Sequence, residues 1–469
     1  MSERSERSMR SIDGVYDVTI VGAGVVGTAI ARALSRYELD IAVVDAAHDV
    51  GEGTSKANTA ILHTGFDAKP GTLESRLVSR GYTLLGEYAE RTGIPMERTG
   101  ALLVAWTDEE LANLPSLREK AEQNGYDACE IIDADAVYAT LPHLGPGALG
   151  GLTVPGETII CPWTPSIAYA TEAVDNGAAL LLGREVTGVT VGDDATVVHT
   201  SRGDITARWL INAAGLGADV LDCALGFDRF TVTPRRGELL VFDKLARPLV
   251  DKIVLPVPSK LGKGVLVSPT VYGNVMLGPT AEDLHDKTAT GTSENGFAFL
   301  HEKGERLMPT LFEEEVTTAY AGLRAAIDHG DYLIEPDPEQ RYLLVGGIRS
   351  TGLTASMAIA EYVEGLLSDA GVELRRRSSL ADPPQMPNIG EARPRPYERD
   401  EVIRRDPAYG ELVCFCERVS FGEVRDALCA TVPAVDRSGV SRRTRATNGR
   451  CQGFYCGAAV DATIEEMVR

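Results

Sequence analysis

One pattern constrains this chain more than any other. Residues Val15–Gly22 read VYDVTIVG, an apolar, β-branched run that stops at a glycine, as a buried strand does. Gly22-Ala23-Gly24-Val25-Val26-Gly27 comes next, Val25–Ser35 carries helical spacing, and Ile41–Asp45 (IAVVD) reads as a second strand. Strand, glycine-rich turn, helix and strand within about 30 residues form a β-α-β unit. In such a unit Gly22 allows the tight turn, Gly24 lets a pyrophosphate approach the backbone, and Gly27 lets helix and strand pack closely. The helix start, with Val26 in its first turn, supplies amides and partial positive charge for phosphates. Asp45 closes the second strand, where an acid accepts a ribose hydroxyl. The competing reading at this point is a glycine-rich turn in an α/β domain that holds no ligand.

Only one such fingerprint occurs, and glycine-rich segments recur far away, INAAG at Ile211–Gly215 and GGIRSTGLTAS at Gly346–Ser356. A cofactor reached from segments so distant is large and stably held, as a flavin is. The remaining pattern is mixed. Helices are expected at Leu73–Thr92, Asp108–Asn124, Thr164–Asn176 and Leu353–Leu367, and strands at Trp209–Ala214 and Tyr342–Gly346. Val186–Val191 and Thr196–Thr200 alternate like an antiparallel pair across Gly192-Asp193-Asp194, and Phe230–Met276 fits a mixed sheet.

The 68 acidic against 46 basic residues give a net charge of −22, which argues against general nucleic-acid binding. No apolar run is long enough for a membrane span. The start, MSERSERSMRSIDG, is polar and reads as a disordered leader (1–14) on a cytoplasmic protein. The Pro-rich stretch 382–396 reads as a linker, and five of the eight cysteines, at 414, 416, 429, 451 and 456, follow it. In a reducing compartment such a cluster points to metal rather than disulfides. Cys414-x-Cys416 and Cys451-x4-Cys456 supply four thiolates, enough for zinc or a [2Fe–2S] cluster. Cys429 lies in a helical pattern and is expected to pack as a small hydrophobe.

Several segments resemble the FAD-dependent oxidoreductases related to D-amino acid oxidase: VGAGVVG, TSKANTAILHTGFDAKPGTL (Thr54–Leu73), INAAGLGAD (Ile211–Asp219), PRRGELLVFD (Pro234–Asp243), AGLRA (Ala321–Ala325) and GIRSTGLTASMAIA (Gly347–Ala360). The resemblance covers about residues 15–370. It implies an FAD site in which Ser55, Lys56, Asn58, Thr59 and His63 lie near the isoalloxazine, Val186 near the adenine end, and Thr351-Gly352-Leu353-Thr354 at the pyrimidine edge. Ala213 and Gly215, and Gly347 in the later glycine-rich run, complete the cofactor set. It also implies that Arg324 grips the anionic end of a substrate, a task that suits the guanidinium fork. Arg236 and Arg349 are weaker candidates for it. His63 is the candidate base for a hydroxyl proton; its other readings are a hydrogen bond to the flavin or a structural role.

VCFCERVSFGEV and SRRTRATNGRCQGFYCG resemble the [2Fe–2S] domain related to bacterioferritin-associated ferredoxin, with Cys414, Cys416, Cys451 and Cys456 as ligands. Arg443, Arg445 and Arg450 would then offset the cluster's charge or solubilise the module. The combination resembles the catalytic subunit of anaerobic-type glycerol-3-phosphate dehydrogenase, although His63-Thr64-Gly65-Phe66-Asp67 is closer to 2-hydroxyglutarate-oxidising relatives.

The expected fold class is α/β: a Rossmann-like FAD-binding domain (15–95, 150–228 and 332–372), a mixed-sheet α+β substrate domain (96–149 and 229–331), a linker (373–407) and a small [2Fe–2S] domain (408–469). The expected function is oxidation of a small anionic hydroxy substrate, glycerol 3-phosphate foremost, by hydride transfer to flavin. Electrons then leave through the cluster to an acceptor protein or a quinone-linked subunit, which would bring the enzyme to the membrane periphery. Oxidation of 2-hydroxyglutarate, an amine or an amino acid, and a non-enzymatic electron-transfer or redox-sensing subunit, are the alternatives. Oligomerisation is compatible with all of them.

Overall fold

The computed structural model describes residues 14–258 and 264–468. The expected leader lies outside the described residues but for its last position. The chain divides into two compact units, one of residues up to Lys56 with Trp163–Pro234 and Arg324–Met386, the other of Ala57–Pro162, Arg235–Leu323 and Pro387–Arg469.

The first unit is built on an eight-stranded sheet. Its parallel centre sets Val15–Val21 between Ile205–Asn212 and Ile41–Val44, with Ala179–Leu181 beyond the latter and Tyr342–Gly346 beside the former. Strands buried on both faces need continuous apolar sequence, which Val18, Ile20, Ile41, Val43, Leu210, Ile211, Leu343 and Leu344 supply. The hairpin Val186–Val191/Thr196–Thr200 extends the sheet antiparallel, in the register its alternation suggests. The fingerprint helix spans Val25–Leu34 and is buried along nearly its whole length. Arg32 on that helix meets Glu172 on the helix Thr164–Asp175 at 2.8 Å, a buried charge with its partner.

The second unit centres on a nine-stranded sheet. Ala101–Ala105 pairs with Gly150–Val154 antiparallel and with Ile253–Pro256 parallel. Its core gathers Leu102, Val104, Phe242, Val254, Val267, Val275 and Leu277. A smaller sheet sets Thr158–Ile160 between Ile61–Leu62 and Met96–Glu97. The 11-residue strand Val316–Ala326 contains the whole AGLRA motif, so Arg324 sits inside a strand rather than between a strand and a turn.

The C-terminal module belongs to this second unit. Three helices, Phe421–Cys429, Arg437–Thr444 and Gly457–Val468, enclose Val419, Val424, Leu428, Val440 and Val460. Ser420 and Glu423 close the first helix with a reciprocal capping box. The segment read as a linker is structured at its end. It holds the turn Pro396–Glu398 and the helix Asp400–Arg405, and Arg395 is buried with its guanidinium on Glu423 (2.8 Å) and the carbonyl of Thr444.

Candidate active site and cluster site

In the first unit the fingerprint turn is held by contacts no side chain could survive. Gly22 has φ +110°, and a Cβ there would overlap the carbonyl oxygen of Ala213. A Cβ on Gly27 would overlap the carbonyl of Gly22. Ala213 thus supports the turn from the neighbouring strand, where its N–H donates to Val21 O. Gly24 is different: its nearest neighbour is the Ser55 hydroxyl, to which the Val25 N–H donates at 3.0 Å, and as the N-cap residue it brings no side chain of its own over the helix start. This leaves a backbone-lined helix start of the kind phosphates occupy. Ser55 and Lys56 lie on the 3-10 turn Thr54–Lys56, and the Lys56 carbonyl accepts from the Trp163 indole at 3.0 Å.

Asp45 accepts N–H groups from Ala23 (2.6 Å) and Ala47 (2.8 Å), one on each oxygen. Burial raises its pKa against the pull of those two bonds. A carboxylate has about four acceptor sites, so room for ribose hydroxyls persists. Val186 opens the hairpin at a bulge, and Gly215 has φ +56° at the end of the INAAG turn. Gly347 has φ +69°, which makes the kink that leads into the helix Gly352–Asp369. That helix begins without a side-chain cap; Leu353 and Thr354 are buried in its first turn, and Thr351 pairs its hydroxyl with Tyr332 at 2.6 Å. Arg349 donates to the Gly330 carbonyl. Two helix starts, a positioned carboxylate and glycine-only approaches fit a dinucleotide with a flavin ring.

In the second unit the segment after Lys56 is pinned on the strand Val316–Ala326. A Cβ on Gly322 would overlap the Ala57 carbonyl, so the glycine of AGLRA exists to admit this backbone. Tyr320 donates to Asn58 O at 2.8 Å, and the Asn58 side chain accepts from Ala60 N–H at 2.7 Å, which holds Ala60 at φ +56°. Thr59 is half-buried between them. The antiparallel register Ile61↔Ile159 and Leu62↔Thr158 then brings His63 opposite Glu157. His63 Nδ1 lies 3.1 Å from Glu157 Oε2. Glu157 Oε1 accepts from both the Thr64 N–H (2.7 Å) and its hydroxyl (2.8 Å), and the Glu157 side chain is 1% exposed. Sequence reading missed Glu157, which strand pairing reveals, and the part played by Gly322, which the approach of the Ala57 backbone reveals. Arg236, on Thr233–Phe242, is engaged by Glu282 across the sheet and by the Gly291 carbonyl.

The four module cysteines gather as two pairs, Cys414 with Cys456 and Cys416 with Cys451. Backbone N–H groups of Tyr455, Gly453 and Phe454 point at the Cys451 sulfur and lower its pKa, while burial pushes the Cys456 thiol up to about 12. Two thiol pairs with backbone amides aimed at sulfur suit a binuclear cluster.

Of the two readings of the basic run, solubilisation does not fit two of its arginines. Arg443 and Arg445 are buried rather than solubilising. Arg445 lies 4.2 Å over the Tyr272 ring and donates to Glu417 and Asn274. Arg450 pairs with Asp243 at 3.0 Å, and Lys244 meets both Glu417 and Glu391. The module is thus fastened to the sheet of its own unit rather than tethered. Cys429 is exposed at its helix end, so the packing expected of it is not found; Cys223 is exposed too, and Cys129 and Cys161 are buried.

Residues 17–366 match the family described as FAD dependent oxidoreductase (DAO). The chain belongs to that family. Within it, the FAD dependent oxidoreductase fold carries FAD here, and residues 412–466 match the BFD-like [2Fe-2S] binding domain, so the second cofactor is a [2Fe–2S] cluster. The chain is 36% identical over 461 residues to a glycerol 3-phosphate dehydrogenase of Caloramator mitchellensis, covering 97% of this chain and 94% of the relative. It is 32% identical to a glycerol 3-phosphate oxidase of Mycoplasma pneumoniae over 75% of this chain and 94% of the relative. The structure of the FAD-bound, dithionite-reduced L-alpha-glycerophosphate oxidase from the same organism matches with a TM-score of 0.75 and 29% identity, covering 80% of this chain and all of that one. No helix among the described residues is long and apolar enough to cross a membrane.

Proposed function

We propose that the chain is a glycerol 3-phosphate dehydrogenase that passes electrons out through its cluster. The observation that carries this reading is the match to a dehydrogenase relative over 97% of the chain, cluster module included. Bound FAD supplies a two-electron acceptor and the cluster a one-electron relay. The chain's own residues do the rest. Gly22, Gly24, Gly27, Asp45, Ser55 and the helix start at Gly352 hold the dinucleotide. Arg324 takes the phosphate, because a guanidinium pairs two of its oxygens at once. His63 removes the hydroxyl proton as the carbon is oxidised to the ketone.

Arg324 and Arg349 differ in the support each has: Arg349 stands on a loop and bonds a carbonyl, whereas Arg324 is held in a long strand. The acceptor is a redox protein that meets the cluster loops, where Phe415, Phe454 and Tyr455 are exposed. The decisive experiment is anaerobic bleaching of the oxidised flavin with glycerol 3-phosphate, 2-hydroxyglutarate and proline in parallel. Fast bleaching by glycerol 3-phosphate is expected. Faster bleaching by either of the others reassigns the substrate, and bleaching by none of them favours an electron-transfer subunit.

A further inference from the structure

Glu157 has no role in the reading above, yet both its oxygens are engaged beside the candidate base. We infer that Glu157 is a positioning residue that fixes the tautomer of His63. The inference rests on the proposed role of His63 as base.

The argument starts from donors and acceptors. The Thr64 N–H is a backbone donor with no alternative polarity, and it points at Glu157 Oε1 at 2.7 Å. The Thr64 hydroxyl adds a second bond to the same oxygen at 2.8 Å. Oε2 faces His63 Nδ1 at 3.1 Å. An ionised carboxylate only accepts, so the ring must carry its proton on Nδ1. Nε2 is then the nitrogen that takes the substrate's proton. The antiparallel register sets this geometry at the ends of the short strands Ile61–Leu62 and Thr158–Ile160, and Glu157 is almost wholly buried. Buried polar groups of this kind hold their partners in one orientation. The other titratable groups near the carboxylate are Tyr126 and Cys129, both raised chiefly by burial, with Tyr82 beyond Tyr126 and Glu122 beyond Cys129. Tyr126 accepts from the Gly156 N–H and Tyr82 donates to the Gly156 carbonyl, so these two phenols brace the turn that presents Glu157.

In the reaction the substrate O–H bond breaks and its proton goes to Nε2. With FAD bound, the hydride would go to the oxidised flavin as the C=O bond forms, while Glu157 stays a carboxylate facing the new imidazolium. The electron pair and proton are both accounted for without a further reactant.

The same geometry makes Glu157→Gln a sharp test. Glutamine has one acceptor and one donor group. The fixed Thr64 N–H claims the oxygen, which turns the NH2 toward Nδ1 and forces the proton to Nε2. That tautomer cannot act as base. We expect Glu157→Gln to bleach flavin with glycerol 3-phosphate about 10³-fold more slowly, with KM nearly unchanged, as loss of a tautomer-fixing acid does elsewhere. Glu157→Asp keeps a carboxylate and should recover much of that loss. The direct readout is independent of turnover: nitrogen NMR of ring-labelled holoenzyme, with His63 assigned from the His63→Asn spectrum. A protonated, pyrrole-type Nδ1 in the wild type that becomes pyridine-type in Glu157→Gln supports the inference. A pyridine-type Nδ1 in the wild type overturns it even if no variant folds. The two readings fail separately. Should His63→Asn bleach at the wild-type rate, the base assignment falls; should His63→Asn be dead and Glu157→Gln normal, only the role of Glu157 falls.

Discussion

At the scale of single residues, the fingerprint glycines do two different things. Gly24 leaves an approach open, whereas Gly22 and Gly27 remove collisions with the carbonyls of Ala213 and Gly22. Gly27→Ala should therefore fail by overpacking, at a cost of roughly 3 kcal/mol, and lose FAD. Its flavin-to-protein ratio should fall well below that of the wild type, and its Tm with it; a fully loaded Gly27→Ala protein would show that helix and turn can separate harmlessly. Arg324 makes an opposite kind of claim. Arg324→Met keeps the stem of the side chain and the strand, so FAD content should be normal. Loss of a charge-assisted contact to an anion should cut kcat/KM for glycerol 3-phosphate about 10²-fold, or roughly 3 kcal/mol. An unchanged kcat/KM would move the phosphate to another cation. The motif residues were readable because each follows from its neighbours in sequence. Glu157 was not, since nothing local to VPGETII says which strand will lie beside it.

At the scale of elements, the helices and strands with clear periodicity lie where the pattern puts them: Leu73–Thr92 and Tyr342–Gly346 agree residue for residue. The errors come from tertiary use of ordinary sequence. Pro-rich 382–396 reads as a flexible tether, and its composition is real, but Arg395 at its end is buried under the module. The arginines around 443 could by sequence be solvated or set against the cluster, and Arg443 and Arg445 are instead buried on a carbonyl, a carboxylate and a ring within their own unit. This attachment makes a pH prediction. Burial alone would raise Asp243 and Glu391, yet Arg450 on the first and Lys244 on the second hold both below the ordinary carboxylate range. A depressed pKa in the folded state contributes stability that is full above the unfolded value of about 4 and lost as pH falls through the folded one. Proteolysis of the 382–396 segment should thus be slow and flat from pH 7 to 5 and accelerate below about pH 4. Lys244→Met should weaken that acid dependence. A rate that rises between pH 7 and 5 instead would point to groups other than these carboxylates.

At the scale of the whole molecule, charge is distributed unevenly along the chain. Residues 408–469 hold eight acidic and eight basic residues, so the net −22 resides before them. The module's described arginines are engaged within it or with Tyr272, Asn274, Asp243 and Glu391 beside it, and its exposed cluster loops carry apolar rings: Phe415, Phe454 and Tyr455 are 73%, 83% and 79% exposed, more than any other large hydrophobic among the described residues. Phe415 separates the thiols of Cys414 and Cys416, and Phe454 and Tyr455 lie edge to face within the other loop. Rings kept in water next to a redox centre forgo the stabilisation that burial would bring, roughly 2 kcal/mol each, and recover it when a partner covers them. The consequence separates reduction of the flavin from departure of the electrons. Phe454→Ser with Tyr455→Ser should leave the cluster assembled, seen by its reduced-state EPR signal, and leave anaerobic bleaching by glycerol 3-phosphate at the wild-type rate. Turnover with a small acceptor such as ferricyanide should also persist, whereas transfer to a protein acceptor should fall about 10-fold, the effect of losing part of one apolar contact. Cys451→Ser, which removes a ligand, should abolish the EPR signal and protein-acceptor turnover together while bleaching continues. If the double aromatic variant transfers electrons to the protein acceptor as fast as the wild type, the electrons leave by another face of the molecule.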